Sequence, residues 1–261
     1  DWSSDVCSSD LVLETGLGGR LDATNVCHPL VAVITSVSYD HMKLLGRTLR
    51  KIATEKAGII KRGCPIVSGV LQPTARRAIM EIAASRRAPL VQHGRDFTVH
   101  VMDSDRDALA GTCFRLESSG HPPRTFTIPL AGRHQAENAA LAVIAADQLR
   151  DRGLRVTDHA VATGLSRTNL PARIETISHR PLTIVDAAHN VASMKALAET
   201  LKPVIATHTR RTLVFAASND KQVEAMLKVV RGLFDHVVIT RYLRSEEHTS
   251  ELQSRQYLVC R

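Results

Sequence analysis

Apolar positions change their period several times along the chain, and each change marks an element. Val12-Leu13-Glu14 reads as the end of a buried strand that runs into the glycine-rich turn Gly16-Leu17-Gly18-Gly19. Val31 to Ser36 is a second short β-branched run, leading into the polar turn Ser38-Tyr39-Asp40-His41. A helix follows: Thr48 is placed to cap it, and apolar residues recur at Leu49, Ile52, Ala53, Ala57 and Ile60. Lys61-Arg62-Gly63 with Pro65 ends it with basic last-turn residues and a glycine stop. Pro65 to Val70 reads as a strand and Thr74 to Arg87 as a helix. Phe97 to Pro129 alternates like antiparallel strands broken by Gly and Pro, and an Ala/Leu-rich helix covers Gln135 to Arg150.

After Asn169-Leu170-Pro171 the pattern becomes regular: strand Thr183 to Asp186, helix Ser193 to Leu201, strand Thr212 to Ala217, helix Val223 to Phe234, strand His236 to Thr240. That alternation predicts a parallel sheet covered by helices. The chain is therefore read as two α/β units, residues 12–169 and 170–243, with the boundary just before Pro171.

The two ends do not share this patterning. Arg244 to Ser254 is the direct translation of a common short-read sequencing adapter, and Asp1 to Asp10 is the translation of its reverse complement, with Leu11 begun by the last bases. Opposite strands of one oligonucleotide do not encode two unrelated natural peptides by chance. A Ser/Asp-rich arm and a polar helix would fit the composition but leave that coincidence unexplained. Residues 1–11 and 244–261 are accordingly expected to be foreign, translated adapter sequence, and the fold is read from the residues between them.

What remains, about 230 residues, is enough for two modest domains. The whole chain carries a formal charge of +8, and the body is more basic still, because the ends hold more acidic than basic residues. A basic surplus suits polyanionic small substrates such as a nucleotide or a polyglutamate as well as nucleic acid. No clustered Lys/Arg run with interleaved aromatics occurs, which weakens the nucleic-acid reading. Of the five cysteines, Cys27, Cys64 and Cys113 fall in the body without paired spacing. That set argues for a reducing compartment and against a disulfide framework or zinc site. No apolar run is long enough to span a membrane. A cytoplasmic protein with no membrane partner is expected.

Lys56 is the most informative single residue, because it falls at the centre of the apolar stripe that starts at Leu49. Burial penalises an ammonium and lowers its pKa, freeing the neutral amine for chemistry, including addition of CO2 to give a metal-binding carbamate. The alternative is a lysine that snorkels past Ala53 and Ala57 into solvent. Glu14, before a glycine turn at a strand end, is placed as magnesium oxygen ligands often are in nucleotide sites, or is an acid facing solvent. His41 is a loop ligand or a surface capping histidine. The Gly16-x-Gly18-Gly19 turn lacks the third glycine of a dinucleotide fingerprint, Leu21 standing in its place, and no GxxxxGK[ST] occurs anywhere in the chain.

In the second half, Asp186-Ala187-Ala188-His189-Asn190 follows a buried strand and opens a helix, forming a ligand edge or an Asn cap with incidental neighbours. Arg173 with Glu175 offers a phosphate-reaching arginine or a surface pair. Asn138 sits in the first turns of a helix, where it costs propensity.

Taken in order, these segments resemble folylpolyglutamate synthase/dihydrofolate synthase within the Mur ligase superfamily. The family's E-x-GLGGRLDATN stretch matches Glu14 to Asn25, and its D-H…EKAGIIK-x-G block matches Asp40 to Gly63. Its H-x-x-N helix start matches His134 to Asn138 approximately, and its LP-G-R-x-E linker matches Leu170 to Glu175 with Ala172 replacing glycine. Its D-[GA]-AHN motif matches Asp186 to Asn190, and Asp220-Lys221 resembles its later D-K pair.

The resemblance implies a Mur ligase-like α/β fold: an incomplete central ATPase domain lacking its P-loop, followed by an incomplete Rossmann-like C-terminal domain. It implies Glu14 and His41 as magnesium (Mg2+) ligands and Lys56 as the carbamylated lysine that completes the metal site, with Lys56 and His41 as the catalytic residues. It implies Asn138, Arg173, Asp186 and His189 as the residues that hold ATP between the domains. The expected activity is ATP-dependent addition of L-glutamate to dihydropteroate or folate by a monomer, through an acyl phosphate, without a nucleic-acid partner. The family's P-loop lies upstream of Glu14, so the polypeptide as given is expected to be inactive. Two competing readings are another Mur-type amino-acid ligase and a non-catalytic nucleotide-binding module.

Overall fold

The computed structural model describes residues 11–102, 108–218 and 221–240, together with the backbone of 256–260. Asp1 to Asp10, residues 244–255 of the tail and Asp220 of the D-K pair lie outside the described residues.

Three short parallel strands, β1 (Ala32–Ile34), β2 (Ile66–Ser68) and β3 (Leu90–Gln92), form the first sheet in the order β1-β2-β3. Between β1 and β2 run a one-turn helix, α1 (Met42–Leu45), and α2 (Leu49–Lys56), which stops short of the expected end at Lys61–Gly63: the backbone tightens into a 3-10 turn over Ala57–Ile59 and Ile60 is already extended. Thr48 caps α2 by accepting from Lys51 N, as its sequence predicts. The helix between β2 and β3, α3 (Pro73–Ser85), starts with Pro at a position where the missing N–H costs nothing. Ile52, Ala53, Ala57 and Ile60 on one side and Ala75, Ala78 and Ile79 on the other close over one face of the sheet as a single apolar cluster.

An antiparallel sheet, β4 (Phe97–Val101), β5 (Thr112–Ser118) and β6 (His121–Ile128), follows in the order β4-β5-β6. The long helix α4 (Arg133–Asp151) packs Ala136, Ala140 and Ile144 against Phe114 and Leu116 of that sheet and against Val67 of the first. A further helix, α5 (Asp158–Ser166), is capped by Thr157, which accepts from Ala160 N.

The second half contains the predicted alternation: β8 (Leu182–Asp186), α6 (Val191–Ile205), β9 (Arg211–Phe215), α7 (Val223–Val230) and β10 (His236–Ile239). An edge strand, β7 (Glu175–His179), pairs antiparallel with β8. The core joins Ile184, Leu213 and Phe215 of the strands to Met194, Leu197, Leu201 and Met226 of the helices.

Two expectations are corrected. Val12-Leu13-Glu14 is not a strand; among the described residues it is an exposed irregular segment that pairs with no strand, although β1 has an open edge. The second sheet is not wholly parallel: β7 pairs antiparallel with β8, and β11 (Gln256–Cys260) lies antiparallel between β8 and β9, giving the order β10-β9-β11-β8-β7. A short β-prone run, Tyr257-Leu258-Val259, meets two strand edges whose N–H and C=O rows face each other one strand apart, and pairing satisfies both.

Candidate active site

The glycine-rich turn is organised by one carboxylate. Asp22 accepts from Gly16 N at 2.9 Å, Leu17 N at 3.1 Å, and both the amide and the hydroxyl of Thr24 at 2.9 and 2.6 Å. The Thr24 hydroxyl, Thr24 amide and Leu17 amide hold its pKa down at about 2. The turn packs on the end of α2: Arg20 N donates to Glu55 O at 2.9 Å, and the Arg20 side chain pairs with the Glu55 carboxylate at 3.1 Å. The contact is so close that a Cβ on Gly58 would lie 2.3 Å from Arg20 Cα. Lys61 Nζ adds a bond to Asn25 O at 2.6 Å. The GLGGRLDATN and EKAGIIK segments are thus two sides of one packed unit, which places Lys56 at the last turn of α2.

The C-terminal end of β1 leads to Asp40 and His41. His41 takes a left-handed conformation, φ +46°, at the start of α1, and its side chain does not cap the helix. Asp40 is the meeting point of the two halves. Its Oδ1 accepts from His41 N at 2.9 Å and from Lys221 Nζ at 2.8 Å; its Oδ2 accepts from Asn190 Nδ2 at 3.1 Å and lies 3.3 Å from His189 Nε2. Lys221 Nζ is also 3.4 Å from His41 Nε2. Burial alone would raise the Asp40 pKa, but the bonds from His189, Lys221 and Asn190 outweigh it and hold the carboxyl far below the usual carboxylate range.

His189 is held from both sides, Nε2 by Asp40 and Nδ1 by Ala187 O at 3.0 Å. Both neighbours are acceptors, so both ring nitrogens donate and the imidazolium is favoured; the Asp40 bond raises its pKa against the cost of burial. Asn190 forms a capping box with Ser193 at the start of α6, so a helix cap fixes the side chain that reaches Asp40. Lys56 is partly buried; desolvation lowers its pKa, and the charge of Asp40 opposes that shift.

The linker carries the remaining residues. Ala172 and Ile174 both have positive φ, +56° and +50°, which presents the half-buried Arg173 between two left-handed residues. The buried Asp186 fixes this turn, accepting from Ile174 N at 2.9 Å and from Ala188 N at 2.7 Å, while burial raises its pKa. Arg173 is near enough for its charge to act on Asp186 and on His134 at the start of α4. Asn138 is exposed one turn further along α4, with Nδ2 3.5 Å from Gln135 Oε1.

A cleft of about 1150 Å³ opens between the halves, lined by Tyr39, His134, Glu137, Lys195, Glu199 and Gln222 among others. Burial lowers the His134 pKa there.

The structure therefore brings His41 and His189 to Asp40, leaves Lys56 near enough to feel the charge of Asp40, and leaves Arg173 near enough to act on Asp186. It leaves Glu14 exposed in the irregular segment before the turn, with no hydrogen bond or ion pair among the described residues. Among the described residues, no three His, Cys, Asp or Glu side chains converge as a metal-binding group, and a carbamate on Lys56 would add a further oxygen ligand. Sequence reasoning named Asn190 as a ligand edge or a helix cap, and Asp40 and Lys221 only within the D-H and D-K pairs, without assigning Asp40 or Lys221 a role in the site. Asp40 and Asn190 adjoin His41 and His189 in chain order, which was the available signal.

Two α/β units, with charged loops at the carboxyl ends of β1 and β8 meeting over a cleft, define a two-module ligand-binding architecture. The chain belongs to the Mur ligase family: the Mur ligase middle domain matches residues 9–146, and the Mur ligase glutamate ligase domain matches residues 172–258. It is 40% identical over 219 residues to a dihydrofolate synthase/folylpolyglutamate synthase of Bacillus subtilis, covering 84% of this chain and 50% of that protein. It is 34% identical over 229 residues to a folylpolyglutamate synthase of Lacticaseibacillus casei, covering 87% and 52%. The chain thus spans about half the length of the curated relatives it matches. Among solved structures, an FPGS–AMPPCP–folate complex superposes with a TM-score of 0.78 at 34% identity, covering 87% of this chain and 55% of that one. Escherichia coli FolC in complex with DHPP and ADP gives 0.72 at 31%, covering 86% and 50%. Among the described residues, no helix is long and apolar enough to cross a membrane.

Proposed function

We propose that the chain is part of an ATP-dependent ligase that joins L-glutamate to dihydropteroate, to folate polyglutamate, or to both. Residues 12–169 would be part of the central ATP and Mg2+ domain and residues 170–243 part of the C-terminal domain of a cytoplasmic monomer. The observation that carries the reading is the convergence on Asp40, where the D-H pair of the first half meets the A-H-N motif and Lys221 of the second. Relatives named for these activities and solved complexes titled with folate, DHPP, ADP and AMPPCP support it.

In the reaction, a substrate carboxylate oxygen attacks the γ-phosphorus of ATP, releasing ADP and forming an acyl phosphate. The amine of glutamate then attacks that carbonyl, phosphate leaves, and the nitrogen loses a proton to give the amide. Asn138, Arg173 and His189 would hold the nucleotide between the halves, with Asp186 fixing the turn from which Arg173 projects. His189, whose pKa is raised by the bond to Asp40, would present positive charge towards phosphate when protonated.

Magnesium would be held by His41, Glu14 and Lys56 as its carbamate. An imidazole with a carboxylate and a carbamate oxygen is a donor set that suits a divalent cation, and His41 Nε2 already faces a cation, the Lys221 ammonium at 3.4 Å. Bound magnesium would neutralise charge on the transferring phosphates. Contacts from both halves imply closure over the nucleotide.

The test is glutamate-dependent ADP release by the product of the uninterrupted source gene, with dihydropteroate and separately with tetrahydrofolate. Turnover with either supports the ligase and identifies its acceptor. No turnover from a product carrying an intact GxxxxGK[ST] would return the protein to the non-catalytic reading.

A further inference from the structure

We propose that the end of the first sheet opposite the cleft binds a chain of closely spaced carboxylates, the polyglutamate tail of the folate that the ligase extends. The identity of that ligand rests on the ligase reading; the surface itself does not. The cleft opens beyond the carboxyl ends of β1 and β2, where Tyr39 and Gln72 line it. At the other end of the strands, three chain segments bring five cations together: Lys61 and Arg62 before β2, Arg86 and Arg87 before β3, and Arg152 at the end of α4. Main-chain bonds fix their neighbourhood. Gly63 N donates to Arg86 O at 3.1 Å, and Arg152 Nη2 donates to Gly63 O at 2.7 Å. Arg86 Nη1 donates to Gly58 O at 3.2 Å and to Ile60 O, and Lys61 Nζ to Asn25 O.

Among the described residues none of the five pairs with a carboxylate, whereas Arg20, Arg50 and Arg150 pair with Glu55, Glu81 and Asp147. Asp151, next in the chain to Arg152, accepts from Gln148. Cations do suit helix ends: α3 and α4 terminate here, each presenting roughly −0.5 of a charge. Together with Asp151 they offset about two of the cations, and a positive surplus remains. Arg87 is the sharper observation. It lies at φ +49° just past α3, where Ala88 N reaches back to Ala83 O and Arg87 N to Ala84 O. Glycine is the usual occupant of that position, because a Cβ is penalised there. An exposed arginine kept in an unfavourable backbone conformation points to a role outside the fold.

Guanidinium groups recognise carboxylates through paired N–H bonds. Whichever carboxyl forms the amide, each added glutamate leaves one carboxylate free, so a lengthening tail presents a row of them. No Phe, Tyr or Trp falls in segments 58–65, 84–90 or 150–156 to stack a base, which disfavours single-stranded nucleic acid.

The experiment measures the anisotropy of a fluorescein-labelled γ-linked pentaglutamate with the purified chain in low salt. The parent is expected to bind, and Arg62→Gln and Arg87→Gly each to bind at least fivefold more weakly. Arg87→Gly is expected to melt no lower than the parent, which separates lost binding from lost folding. Lys202→Gln, which removes an exposed cation of α6, is expected to bind as the parent does. No binding to the parent, undiminished binding by Arg87→Gly, or the same loss from Lys202→Gln overturns the surface. Tighter binding of an oligothymidylate of equal charge overturns the choice of carboxylates. Tail binding by the chain, with no glutamate addition by the product of the uninterrupted gene, keeps the carboxylate surface and overturns its assignment to the tail of this enzyme's own product.

Discussion

Asp40 and Lys221 are separated by 181 positions in the chain, yet the lysine Nζ lies 2.8 Å from the aspartate Oδ1. Three side chains from the second half, Lys221, Asn190 and His189, converge on this one carboxylate from the first. Charge-assisted bonds of this kind contribute about 1.5–3 kcal/mol each when sheltered, and less where the partners remain part-exposed.

Replacing Asp40 by Asn removes the charge but keeps the size. The variant is expected to lose about 1–3 kcal/mol and to expose the 169–171 connection to protease. Urea unfolding and limited proteolysis measure both; unchanged proteolysis would show that Asp40 does not tie the halves.

Ala172 sits at φ +56°, a region where a Cβ costs about 1–2 kcal/mol. Ala172→Gly is expected to raise stability by about 0.5–1 kcal/mol, since glycine also gains freedom in the unfolded chain. A higher melting temperature checks it.

Gly58 has no room for a side chain, because Arg20 Cα would lie 2.3 Å from its Cβ. Gly58→Ala is expected to push the Gly16–Asn25 turn off α2 and to cost about 1–3 kcal/mol. Loss of amide-exchange protection at Arg20, whose N–H donates to Glu55 O, is the readout.

Asp22 titrates at about 2, below its ordinary 3.8. A depressed acid contributes order that is present above its unfolded pKa and lost as pH falls through the folded one. The Gly16 and Leu17 amide shifts should therefore report a midpoint near 2 rather than near 3.8, and Asp22→Asn should abolish that titration.

Asp186 uses both oxygens to hold backbone N–H groups. An amide offers only one, so Asp186→Asn leaves Ile174 N or Ala188 N without its acceptor. It should cost about 1–3 kcal/mol and weaken nucleotide binding through Arg173, measured by calorimetry with ADP.

The sequence alone determined the local elements that repeat a period. The Thr48 cap of α2 and the burial of Ile52, Ala53, Ala57 and Ile60 are as the spacing predicts, although the α-helix itself ends at Lys56, because a 3.6-residue period states which face is buried whatever covers it. The alternation of β8, α6, β9, α7 and β10 is legible for the same reason. Strand β3 has only Leu90-Val91 as its apolar run, whereas β1 and β2, equally short, lie in longer ones, and α5 and the edge strand β7 show a weak pattern, so all three were missed. The tertiary structure alone decided which faces and loops meet. It seated β11 between β8 and β9, left Val12 to Glu14 without a sheet partner among the described residues, and made Asp40 rather than its neighbour His41 the point where the two halves meet. A period records burial but not the identity of the covering element, and contacts between residues 150 to 181 positions apart are set by how the two halves dock.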